Sequence, residues 1–352
     1  MRVKPIILIL TILLFNCKTQ NIPLYVGTYT SEDSEGIYQY QFNTETGELS
    51  GEKLSAETKD PSYIAFSPSK KFLYAVNEGD ESVSSFEIKK EGNLKLLNTV
   101  SSNGKYPCHI SVNNDGTKAV VSNYGGGNVA LYSINSDGNL IEASQVFNHN
   151  AENQESHAHS AQFYKDNLYV SDLGRNSLYQ YIKDKGDYKL KTPSIVKMNE
   201  NDGPRHFALT KNGQYIYIIN EYANTITVAK EVNTQFEVLT VESTLSEDFN
   251  GDSFCADIHL SEDERFVYGS NRGENSIVVF KRDVKNGTIT KIQNITTEGN
   301  WPRNFTLDPT GKFLLVANQK SNNISVFNID KETGKLSFNN EVKSPTPVCL
   351  LF

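Results

Sequence analysis

Three arginines, two histidines and a glutamate occupy comparable places in segments of this chain that resemble one another, and together they could bind an anion and move a proton. Arg205, Arg272 and Arg303 carry planar guanidinium forks that match the paired oxygens of a carboxylate or phosphate. His157, His159 and Glu221 are residue types whose proton affinity can be tuned toward neutrality for general acid/base work. His206 and Asp257 stand beside them and extend the set of candidate substrate contacts. An isolated charge at a strand end is ordinarily a solvated rim group or a surface ion pair. Convergence from segments distant in sequence is what gives these residues functional weight.

Other chemistries fit less well. Ser160 follows His159, but there is no GxSxG elbow, and neighbours along a strand point to opposite faces, so a Ser-His nucleophile is not expected. His157, His159 and Asp257 are zinc-ligand types, yet the surrounding cations oppose a metal, and neither metal nor cofactor is expected. Asn123-Tyr124-Gly125-Gly126-Gly127 lacks the GK[ST] of a phosphate loop and reads as a turn. Cys108, Cys255 and Cys349 lie in apolar strand patterns without CxxC spacing and read as small core residues.

The elements that must position these groups form a repeat of roughly 47 residues. Each copy has a Pro-started apolar strand, a polar turn, a second strand ending in Asn or Asp, another turn and a third strand. Clear copies begin at Pro61, Pro107, Pro204 and Pro302, with further ones near His157 and Phe254, the His157 copy having a shorter hairpin. Asn114-Asp115-Gly116, Asn212-Gly213 and Thr310-Gly311 are hairpin turns between strands. A more polar fourth strand follows segments such as Asp137-Gly138-Asn139-Leu140. The predicted fold is therefore all-β, a seven-bladed propeller of four-stranded antiparallel blades. Residues 345–352 read as a first strand with nothing after it, and Leu24-Tyr25-Val26-Gly27-Thr28-Tyr29 as a second strand. Pairing them closes the ring and removes an open edge.

In such a blade the start of the first strand and the end of the second share one face. That face gathers Ser62, Cys108, His157 with His159, Arg205 with His206, Ala256 with Asp257, and Arg303 with Asn304. Second-strand ends add Glu78, Tyr124, Leu173, Glu221, Arg272 and Gln319.

Across 352 residues, 38% are hydrophobic and 11% aromatic, with 18 Tyr and 18 Phe, which suits many half-buried strands. A net charge of -8 argues against a nucleic-acid partner, which would need clustered Lys and Arg. Arg2 and Lys4 precede the apolar run Ile6 to Phe15, which is too short for a span of roughly 20 helical residues and suits a signal peptide. Leu14-Phe15-Asn16-Cys17 resembles a bacterial lipoprotein signal, implying lipidation of Cys17. The expected layout is a signal peptide over 1–17, a short tether over 18–22 and one propeller domain over 23–352. The protein is expected to be an exported monomer, facing the periplasm or cell surface and touching the membrane only through a lipid anchor.

The chain also resembles the seven-bladed propeller lactonases, a family of 6-phosphogluconolactonase and carboxymuconate cycloisomerase type. The resemblance covers the mature chain. It rests on Tyr25-Val26-Gly27-Thr28-Tyr29-Thr30, Gly36-Ile37-Tyr38, His157-Ala158-His159-Ser160, Asp172-Leu173-Gly174, Gly203-Pro204-Arg205-His206, Asn220-Glu221, Ala256-Asp257-Ile258-His259 and Ser270-Asn271-Arg272-Gly273. It implies a catalytic set of His157, Arg205, Glu221 and Arg272, with His159 the competing histidine. The implied reaction is hydrolysis of a sugar-acid lactone, with Arg205 and Arg272 holding the anion and polarising the ester while His157 or Glu221 activates water. His159, His206, Asp257 and Arg303 would then contact substrate. Because fold alone does not decide function, a non-catalytic envelope module binding an acidic ligand or protein, or a lactonizing cycloisomerase, is the alternative.

Overall fold

The computed structural model describes residues 21–352 apart from positions 32 and 193. The expected signal peptide, lipidated Cys17 and the first part of the tether lie outside the described residues. The strand Asn21–Thr28 begins within the last two residues of the expected tether, pairing Asn21 with Asn43 and Ile22 with Phe42.

Strands form seven separate antiparallel sheets arranged as blades. Inner strands are Tyr63–Phe66, Pro107–Val112, Ala158–Tyr164, Pro204–Leu209, Phe254–Leu260, Pro302–Leu307 and Pro347–Leu351, in blades one to seven. Six blades have four strands; in the third, Asp187–Leu190 and Val196–Lys197 share the outer position. The seventh blade joins Pro347–Leu351 to Asn21–Thr28, as the two chain ends imply. Helix among the described residues is limited to two short turns, Glu78–Asp80 and Lys90–Gly92.

Alternating apolar residues on twisted strands leave each blade with two sticky faces, and the hydrophobic core divides accordingly. Seven buried clusters lie one at each blade-to-blade interface, such as Tyr217, Ile219 and Val228 against Val267, Val278 and Phe280 between blades four and five. Each blade is thus held by its neighbours and the ring by its closure.

The inner strands carry one irregularity that the repeat pattern conceals. Pro204 pairs with Asn220 and His206 with Ile219, so Arg205 is an extra residue with no partner opposite. The same bulge holds Cys108, His159, Arg303 and Val348, and in the fifth blade Ala256 and Asp257 oppose Ser270 alone. A bulge bends the strand and re-aims the extra side chain. The second strands of blades one to six carry Asn77, Asn123, Asp172, Asn220, Asn271 and Asn318 at their C-terminal ends, all buried, the fifth running one residue further to Arg272. Their side chains tie the strand end to neighbouring loops; Asn123 donates to Ser102 O and Asn318 to Thr297 O, while the Asp172 carboxylate accepts from Ser156 Oγ and the His157 N–H. Side chains one residue later are thereby fixed around the mouth.

Candidate active site

Bulged residues and strand-end residues meet around a pocket of about 220 Å³ at one mouth of the channel. His159, Arg205, Arg303 and Cys108 enter from bulges, and Tyr29, Glu78, Tyr124, Glu221 and Arg272 from the ends of second strands.

Glu221 is the hub. Its Oε2 lies 3.0 Å from Arg272 Nη2 and 3.0 Å from Arg205 Nε, the latter an ion-pair contact and not an aligned hydrogen bond. Arg272 also donates to Phe254 O and Cys255 O, and its guanidinium packs 5.4 Å from the Trp301 ring centroid. Arg205 Nη1 donates to Ala256 O at 2.5 Å. Burial, with Arg272 and Arg303 nearby, pulls the Arg205 pKa down to about 10, which leaves it charged at neutral pH. Arg303 stands apart from this pair. It sits 5.3 Å from the Tyr29 ring centroid, and no carboxylate among the described residues lies within ion-pair distance of it. Burial opposes its charge, but Tyr29, Glu78 and Glu221 outweigh that and raise its pKa. Tyr29 in turn donates to Glu78 Oε2 at 2.8 Å.

The pocket's three guanidinium groups and two carboxylates leave one formal positive charge in excess. His159 is buried in the same pocket with its Nδ1 unpartnered. Burial first, then Arg205, His206, Arg303 and Arg272, hold its pKa well below the usual histidine value. It is therefore a neutral imidazole at pH 7, with one ring nitrogen unused by the protein. Cys108 is no nucleophile, because burial pushes its thiol up to about 12. Ser160 faces His109 of the neighbouring second blade at 3.4 Å, away from His159, so the paired Ser160–His159 arrangement is absent.

Arg205, Glu221, Arg272, Arg303 and His159 thus come together as the repeat register indicates, whereas three expected members do not join them. His157 lies behind Tyr124, stacked on its ring at 4.5 Å, with Nδ1 at 3.1 Å from Tyr124 O. Strict alternation puts His157 and His159 on one face; the bulge at His159 separates them. His206 and Asp257 occupy the next layer along the channel, lining a cavity of about 500 Å³ that opens at the other mouth. Tyr29, Glu78, Tyr124 and Cys108 line the pocket without having been given a task from sequence. Registering Thr28-Tyr29 against Asn77-Glu78 and Asn220-Glu221 would have found Tyr29. A larger cleft, about 610 Å³, lies between blades five and six, but its Arg265 is already paired with Asp263 at 2.6 Å and no acid/base set converges there.

Residues 23–352 match the family model described as lactonase, 7-bladed beta-propeller. A 6-phosphogluconolactonase of Bacillus subtilis is 36% identical, covering 93% of this chain and 97% of that protein. Among solved structures, a putative 6-phosphogluconolactonase from Bacteroides fragilis superposes with a TM-score of 0.86 at 34% identity, covering 94% of this chain and 97% of that one. A periplasmic gluconolactonase of Pseudomonas aeruginosa superposes with a TM-score of 0.88 at 29% identity, covering 94% and 99%.

Proposed function

The chain belongs to the seven-bladed β-propeller lactonase family, and on that premise we propose that it hydrolyses a sugar-acid lactone in the pocket around Glu221. The observation that carries this reading is the pair of guanidinium groups locked on one Glu221 oxygen beside a neutral, unpartnered imidazole. Such a pair is preorganised to stabilise the oxyanion that forms when water adds to the lactone carbonyl. Arg303, with no carboxylate within ion-pair distance among the described residues, is the group available for an anionic substituent or for the product carboxylate.

Water attack forms a new C–O bond at the carbonyl and breaks the ring C–O bond. His159 takes the proton from water and returns it to the departing ring oxygen; the product acid then ionises and releases one proton. Glu221 serves better as the clamp than as the base, since protonating Oε2 would break two ion pairs. His159 replaces His157 in the proposed catalytic set. The low proton affinity of His159 makes it a modest base, and an anion bound to the arginines would raise it.

The 6-phosphogluconolactonases among its relatives and the periplasmic gluconolactonase among its structural neighbours point to aldonic-acid lactones, phosphorylated or not. Export with lipidation at Cys17 belongs to the same proposal and favours an unphosphorylated lactone of the cell envelope. A panel of lactones with and without phosphate, followed as proton release above the spontaneous rate, tests activity and substrate class together. Arg205→Ala and Glu221→Ala are expected to lose about 100-fold or more. Rates unchanged in both would refute the site and leave the binding-module reading. Fatty-acid labelling that disappears in Cys17→Ser is the expected sign of the anchor.

A further inference from the structure

Beneath the pocket, the polar layer of the channel is wired in one direction. Asp257 is buried and receives five donors. Its Oδ1 accepts from His206 Nδ1 at 2.7 Å and from the Ile258 N–H at 2.9 Å. Its Oδ2 accepts from Asn304 Nδ2 at 2.6 Å, His259 Nε2 at 3.1 Å and the Phe305 N–H at 3.3 Å. A carboxylate with this many donors has no proton to offer, so His206 Nδ1 must carry the hydrogen. Nε2 of His206 is then a bare acceptor, and it lies 3.4 Å from Arg205 Nη1. The other Nη1 hydrogen is taken by Ala256 O at 2.5 Å.

We propose that Asp257 and His206 are positioning residues that lock the guanidinium of Arg205 through the histidine tautomer. The lock rests on the reading of Arg205 as a group that contacts the lactone. Neither Asp257 nor His206 lines the pocket, so in this proposal they act through Arg205 instead of by the substrate contact expected of them. Burial and the adjacent Arg205 charge hold the His206 pKa down to about 4, so a neutral ring with one proton to place is the relevant species.

The lock has a specific weakness. In Asp257→Asn one carboxylate oxygen becomes an amide nitrogen. The Oδ2 position cannot accept it, because the Phe305 N–H and the Asn304 amide both donate there. Asn304 is itself oriented by the Leu350 N–H, which donates to its Oδ1 at 2.8 Å. At Oδ1 the new nitrogen meets a single fixed donor, the Ile258 N–H, against two at Oδ2, so it faces His206, whose Nδ1 becomes the acceptor as the imidazole proton moves to Nε2. Two donors, Nε2–H and the Arg205 Nη1–H, then confront each other and Arg205 is displaced.

The chain contains 6 histidines, few enough for nitrogen-15 NMR to resolve each ring. In the wild-type protein His206 is expected as the Nδ1–H tautomer, and in Asp257→Asn as Nε2–H. The variant is expected to lose about tenfold or more in kcat/KM. In an Arg205→Ala background the same change should cost less than about twofold, because its target is gone. An Nε2–H tautomer in the wild type overturns the lock even if the variant does not fold. So does an active Asp257→Asn, or an undiminished cost in the Arg205→Ala background. Full activity of Arg205→Ala alone would instead refute the role of Arg205 in the reaction, while the tautomer measurement still decides the lock.

Discussion

The two histidines of His157-Ala158-His159 have different surroundings and should behave differently. His159 Nδ1 is buried without a partner in the pocket, whereas His157 is stacked on Tyr124 and bonded to its carbonyl. His159→Asn is expected to lower kcat by about 100-fold or more, the usual range for a general base. His157→Asn should leave most of the rate, and the reverse ranking would overturn the assignment. The pH profile gives a second check. His159 works as a base only while neutral, and its pKa lies below the ordinary 6.5, so activity is lost as pH falls through that depressed value. The acid limb of kcat/KM should therefore lie clearly below pH 6.5; a limb at or above 6.5 would exclude His159. Arg303 predicts a change in binding more than in chemistry. Arg303→Met should raise KM for an anionic lactone by about tenfold or more while kcat is largely kept, consistent with loss of one charged contact.

At the scale of the strand, the repeat was legible because its punctuation has physical causes. Proline starts the inner strand where no ladder N–H is needed, and asparagine ends the second strand where its amide clips the neighbouring loop. That register placed Arg205, Glu221, Arg272 and Arg303 at one mouth. The bulge was not legible, since His159, Arg205, Cys108 and Val348 have nothing in common as residue types. Alternation without the bulge put His157 in the site, and it gave no reason to send Arg205 to the pocket and His206 to the channel. In five of the seven blades the turn entering the inner strand uses left-handed backbone as well. Asp60, Tyr106, Trp301 and Thr346 all adopt left-handed backbone just before the inner-strand proline, where Gly203 serves the fourth blade. Trp301, at φ 67°, is held there with its ring against Arg272. It is the only tryptophan in the chain. Its fluorescence should change saturably when gluconate or its phosphate engages the arginine pair, and Arg272→Met should abolish the response. A titration without any change would show that ligand does not reach Arg272.

The whole molecule depends on a seam five residues long. Pro347–Leu351 is the inner strand of the seventh blade, and its partner Asn21–Thr28 comes from the other end of the described chain. Leu350 and Phe352 pack into the interface with blade six, and Cys349 and Leu351 into the interface with blade one. Removing 347–352 therefore strips apolar side chains from two of the seven interfaces and exposes the inner edge of Asn21–Thr28. A fully buried apolar side chain contributes roughly 1.5–3 kcal/mol, and a domain's net stability is only about 5–15 kcal/mol. The loss thus approaches the entire margin, and the bare edge is a template for association. The truncated chain should aggregate or melt far below the full chain in a thermal scan, although every residue of the proposed catalytic set is still present. A synthetic peptide of residues 345–352 should restore part of the melting temperature by adding back as a strand. A truncated protein that melts within a few degrees of the intact one would mean that the other six interfaces suffice, and that closure of the ring is not what holds the mouth and its arginines in place.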